Sequence, residues 1–175
     1  MSGFYVYLIS SLPALRFGAA PPFSLEKFLQ ICLDLLPEED LEILRLSVDI
    51  GRDFVYLGRS EALRKWCGFN IALNNEIVKI RAGRRHIDPA KFLRPDVYFS
   101  ADVFHIAGAA YRNPSLLEAE SMLDQARWNY LEELSLGHYF DLELLLVYLQ
   151  KLLILERWQR INRSDKQELL TSVLM

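Results

Sequence analysis

The chain has 175 residues, 51% of them hydrophobic and 12% aromatic, with a formal net charge of −3. That composition excludes a disordered chain and a wholesale nucleic-acid coat, and it suffices for one full core or two small ones. Cys32 and Cys67 each lie in an apolar helical context and read as small buried hydrophobes in a reducing compartment, since nothing in their spacing calls for a disulfide.

In chain order, the opening FYVYLIS is aromatic and β-branched and is then broken by Pro13, Gly18 and the Pro21-Pro22 pair, which predicts a short strand or an irregular helix followed by a loop. It has no basic flank and no small-residue cleavage site, so it is not read as a secretory signal and the expected location is cytoplasmic. Ser24 predicts the N-cap of a helix with Leu25, Phe28, Leu29, Cys32 and Leu36 on one face, ending at Pro37. The acidic turn Glu38-Glu39-Asp40 suits the positive end of a second helix that runs through Leu41, Leu44 and Val48 to Gly51. Residues 60–82 read as two helical pieces, Ser60 to Trp66 and Asn70 to Ala82, punctuated by Gly68 and Gly83 and weakened by Asn74-Asn75. Asp88-Pro89 then starts a brief helical turn that Pro95 ends.

Asn113-Pro114 predicts the start of a helix reaching Leu136, with Gly137 as its stop. Asp141 caps the most distinctive segment, Phe140 to Ile161, whose apolar character covers nearly the whole circumference of a helix and so demands burial on several sides. The charged residues Asp141, Glu143, Lys151, Glu156, Arg157 and Arg160 argue against a bilayer span there. Ser164 followed by Gln167 reads as a capping box for a last helix. The expected fold is all-α, a bundle of six or more helices with short loops, forming a single domain over residues 1–175 that divides into sub-bundles 1–94 and 95–175.

Charge is banded along the chain. Residues 1–51 carry three Lys/Arg against seven Asp/Glu, residues 52–94 ten against four, residues 95–156 three against ten, and the last nineteen residues four against two. The basic band is densest at Lys79, Arg81, Arg84, Arg85, Lys91 and Arg94. Such a stretch can release counterions from phosphates, but its one aromatic, Phe92, offers little for base stacking, so an acidic protein partner is the better match.

Chemistry-bearing patterns are sparse. His86, His105 and His138 are too scattered for a metal-binding helix, and Walker and GxGxxG sequences are absent. Asp102 three residues before His105 could orient that ring as a base, although a helix-surface histidine with an acidic neighbour explains the pair as well. Arg64 and Lys65 could lower the pKa of Cys67, whereas Trp66 argues for burial. No catalytic residue, cofactor or metal ligand set is expected, and the protein is not read as an enzyme. The candidate partner-binding residues are Arg81, Arg84, Arg85, Arg157 and Arg160.

The order EAESMLDQARWNYLEEL, then HYFDLELLLVYLQKLLILERWQRI, resembles the closing helices of the cap protein that sits on the central stalk of V-type and archaeal-type rotary ATPases. The positions that carry the likeness are Leu123, Asp124, Tyr130, Phe140, Asp141, Tyr148, Glu156 and Arg160. The N-terminal YVYLISSLPAL and PPFSLEKFLQIC also resemble a bacterial family of unassigned function encoded among V-type ATPase genes. The basic middle of the chain takes no part in either likeness. The resemblance implies a non-catalytic coupling or accessory subunit that links the central stalk to the membrane proteolipid ring, with other ATPase subunits as partners and a peripheral position on the inner face of the membrane. A homo-oligomer stays open. The alternative is a nucleic-acid-associated helical module using the basic 79–94 segment.

Overall fold

The computed structural model describes residues 3–49, 60–95 and 101–174. Every regular element among them is helical: α1 (Gly3–Ser11), α2 (Leu25–Leu33), α3 (Glu38–Leu46), a 3-10 turn at Ser47–Asp49, α4 (Glu61–Arg85), a 3-10 turn at Pro89–Lys91, α5 (Ala101–Arg112), α6 (Leu116–Leu134) and α7 (Leu142–Leu174). The all-α expectation of six or more helices holds, and the N-terminal segment is a helix rather than a strand.

Caps set several of the helix starts as the sequence predicts. The Ser24 hydroxyl accepts from the Lys27 N–H, and the Asp141 carboxylate accepts from the Leu144 N–H at 3.0 Å. Asp88 likewise accepts from the Ala90 N–H over the Pro89–Lys91 turn. The Gly51 stop lies outside the described residues.

Other boundaries differ. Residues 61–85 form one continuous helix, α4, rather than two pieces, with Gly68 buried inside it. An internal glycine costs about 1 kcal/mol of helix propensity. Burial of Trp66, Cys67, Phe69, Ile71 and Leu73 on either side outweighs that cost. Gly83 also lies inside the helix, whose end is set by His86 in the left-handed conformation at φ 54°. There the Ile87 N–H donates to the Ala82 carbonyl and the His86 N–H to Gly83. At the C-terminus α7 runs on through Ser164, whose hydroxyl donates back to the Arg160 carbonyl instead of capping a new helix. Helix α5, for which the sequence predicts no bounds although His105 reads as a helix-surface residue, buries Val103, Ala107 and Ala110 at intervals of four and three.

The chain forms two units, Met1–Tyr56 with Ser135–Met175, and Leu57–Leu134. These units do not part at residues 94 and 95. Association follows apolar faces, so α5 and α6 pack with α4, while α7 packs with α2 and α3.

In the first unit the Leu-dense part of α7 is engulfed. Leu145, Leu146, Leu149, Leu152 and Leu155 are at most 1% exposed, each worth roughly 1.5–3 kcal/mol of burial. The polar side chains interrupting this helix act as ties. Buried Gln150 donates to the Ser47 carbonyl at 2.8 Å, and the Glu156 carboxylate accepts from the Leu25 N–H at 2.7 Å. Tyr148 stacks on Phe28 at 5.4 Å and donates to the Pro13 carbonyl at 3.0 Å. Three separate stretches of the N-terminal chain are thus pinned to one helix by side chains 148, 150 and 156.

In the second unit Phe69 stacks between Trp66 and Tyr130, at 6.3 and 4.3 Å. Asp124, 1% exposed, pairs with Arg127 at 2.7 Å, and Arg127 Nε donates to Asn70 Oδ1. The 3-10 turn at Pro89–Lys91 is followed by a clasp: Asn75 Nδ2 donates to the Arg94 carbonyl at 2.9 Å while Asn75 Oδ1 accepts from the Arg94 N–H at 3.0 Å. Asn75, which reads from sequence as a helix weakener, is the buried anchor of that segment.

Candidate interaction site

Arg81, Arg84 and Arg85 occupy positions i, i+3 and i+4 near the end of α4, so their side chains leave a single face, and all three are exposed. The charges of Arg84 and Arg85 complement the negative end of the helix, which is enough to explain a cation there. Arg81 lies a turn earlier and borders a groove of about 280 Å3 between α4, α5 and α6. Its floor is apolar, with Ile77, Ala110 and Leu123, and its rim carries Tyr111 and Glu120. Arg84 Nη1 donates to the Tyr111 hydroxyl at 3.1 Å, which holds a second guanidinium over the same rim. Leu116 lines the groove while 75% exposed, so an apolar side chain stands at its mouth.

The other basic residues of the 79–94 stretch are used differently. Lys79 is paired with Glu76 at 2.6 Å, and Arg94 is held through its backbone by Asn75. Arg157 and Arg160, the remaining predicted partner-binding residues, lie on α7 in the first unit, with Arg157 half-buried and Arg160 exposed. The structure therefore sets Arg81, Arg84 and Arg85 on one exposed face of α4, Arg81 alone lining the groove, and places the α7 arginines in the other unit.

A larger cleft of about 580 Å3 in the second unit is lined by Phe69, Tyr130, Asp102, Glu133, Gln125 and Asn129, among others, with no Lys, Arg or His among the described residues of its lining. His105 stands outside that lining and packs edge-on against Phe104, so the suspected pair of Asp102 and His105 does not converge on one cavity. Nor is Cys67 activated: burial pushes its thiol up to about 11, opposite to the lowering that Arg64 and Lys65 would give. Cys32 is pushed up to about 12 for the same reason, and both cysteines are free and buried. Histidine does meet a carboxylate at His138, whose Nδ1 lies 2.6 Å from Asp141 Oδ2, at the N-terminus of α7 where Asp141 is already employed as a cap. Among the described residues no group of three His, Cys, Asp or Glu is arranged to hold a metal ion, and no helix is long and apolar enough to cross a membrane.

Sequence reasoning finds the arginines from their density but not the groove beside them, because apart from Ile77 its floor comes from α5 and α6, distant in sequence. The usable signal is Ile77, Arg81 and Arg84 recurring at helical spacing.

Fold and surface together describe an all-α protein with an apolar groove bordered by Arg81 and Glu120, beside an arginine-bearing face of α4. Residues 97–174, which include α5, α6 and α7, match the profile of a family described as "Protein of unknown function (DUF2764)". No curated protein and no solved structure matches the chain.

Proposed function

We propose that this protein is a non-catalytic coupling or accessory subunit of a V-type, archaeal-type rotary ATPase, acting on the cytoplasmic side between central stalk and membrane ring. One observation carries the reading beyond sequence likeness. Most residues that bear the resemblance fasten helices. Asp124 holds Arg127, whose Nε donates to Asn70 on α4, Tyr130 stacks on Phe69, Asp141 caps α7, Tyr148 and Glu156 tie α7 to the N-terminal segments, and Leu123 is buried. A torque-bearing coupler needs stiffness from packed, tied helices and a partner surface rather than a reactive pocket. Phe140, 48% exposed, and Arg160 are left at the surface to meet partners.

The test is affinity purification of the tagged chain from its native host under conditions that keep the rotary ATPase intact. Central-stalk and proteolipid subunits should co-purify in stoichiometric amounts. Their absence, with the tagged chain folded and the ATPase intact in the same extract, refutes the proposal.

A further inference from the structure

The groove beside Arg81 has a shape and a charge pattern that specify the chemistry of an occupant. We infer that it docks an acidic amphipathic helix of a protein partner, with a large apolar side chain seated on Ile77 and Leu123 and carboxylates paired with Arg81, Arg84 and Arg85.

Spacing supports this first. Arg81 and Arg85 are one helical turn apart, about 6 Å along the α4 axis, and carboxylates at i and i+4 on a partner helix have the same spacing. Donor inventory supports it second. A guanidinium offers five N–H donors in a planar fork suited to carboxylates. Arg84 commits Nη1 to Tyr111, which fixes the side chain and leaves its other donors for a ligand. Third, the apolar floor and the exposed Leu116 at the mouth reward an apolar anchor, which a bare polyanion lacks.

Nucleic acid and anionic membrane are the competing occupants. Among the described residues of the lining a single aromatic, Tyr111, is offered for base stacking, and the groove is a pocket rather than a track along which a backbone could run. This inference rests on reading the protein as an interaction module, and not on which complex it joins, so failure to recover ATPase subunits leaves it standing.

The probe is a displayed library built on an Ala-rich host helix of about 18 residues with its surface positions randomised, selected against the full chain. Enriched helices should carry paired Glu or Asp four residues apart beside a Leu, Ile or Phe. Binding of the purified peptides, by fluorescence anisotropy at low salt, should fall about tenfold for Arg81→Gln and about a hundredfold for Arg81→Gln with Arg84→Gln. Leu116→Ser should weaken binding without changing its salt dependence. These substitutions fall on exposed side chains, so the fold should persist by circular dichroism. Absence of enrichment, enrichment without acidic pairs, or binding that the double variant leaves unchanged overturns the inference. Retention on heparin or on phosphatidylglycerol vesicles that the double variant abolishes, with no helix selected, assigns the face to a nucleic acid or a membrane and overturns it equally.

Discussion

Replacing Glu156 by alanine should loosen the start of α2, although the two residues bonded there, Leu25 and Glu156, are 131 positions apart. The carboxylate accepts from the Leu25 N–H at 2.7 Å, at the first residue of the helix, where backbone N–H groups lack intrahelical partners. A hydrogen bond to a charged acceptor contributes about 1.5–3 kcal/mol, and a negative charge at a helix N-terminus about 0.3–1 kcal/mol. The Glu156 side chain is half-buried, so water recovers part of the loss and the net cost should be about 1.5–2 kcal/mol. Glu156→Gln keeps an acceptor and loses the charge, and should cost about half as much. Ser24 caps a different N–H, that of Lys27, in the same first turn, so the effects of Ser24→Ala and Glu156→Ala should be coupled rather than additive in a double-mutant cycle. The assay is native-state hydrogen exchange by NMR, in which the Leu25 to Phe28 amides should exchange about 10- to 30-fold faster in Glu156→Ala while the amides of α5 and α6 keep their rates. Unchanged protection at Leu25, or a uniform rise across both units, would refute the idea that this carboxylate acts as a tertiary cap.

Two further outcomes follow from the same reasoning. Asn75→Ala removes both bonds to the Arg94 backbone and leaves that N–H and carbonyl without their partner, which should cost about 1–3 kcal/mol in urea unfolding and release the segment after the Pro89–Lys91 turn to limited proteolysis. Proteolysis unchanged from the parent chain would count against the clasp. For the thiols, burial raises Cys67 from 9.0 to about 11 and Cys32 from 9.0 to about 12, so the folded state holds these protons that the unfolded chain releases. Their contribution is complete below pH 9 and declines as pH rises from about 9 through 11 and 12. Stability measured against pH should therefore fall over that window, less steeply in Cys32→Ala with Cys67→Ala, and a thiol reagent at pH 8 should modify neither cysteine until the chain unfolds. Fast labelling of Cys67 in the native protein would contradict its burial.

Most of what can be read from the amino-acid order is local or periodic. Helix class, the Ser24, Asp88 and Asp141 caps and the need to engulf Phe140 to Ile161 all follow from chemistry within a few residues or from apolar spacing along one helix. Packing carries α4 across Gly68, whereas at the exposed Ser164 the hydroxyl bonds back to the Arg160 carbonyl and α7 continues past the capping pattern. Folding also assigns the polar residues their tasks. Gln150, Glu156 and Asn75 look like interruptions in helical sequences, and each satisfies a backbone group from a remote segment, at Ser47, Leu25 and Arg94. No spacing rule reveals such partners, because a buried backbone group needs a donor or acceptor from whichever helix the fold lays against it. The candidate site divides the same way: Arg81, Arg84 and Arg85 share a face by helical period alone, whereas the groove beside them exists only once α5 and α6 close over Ile77.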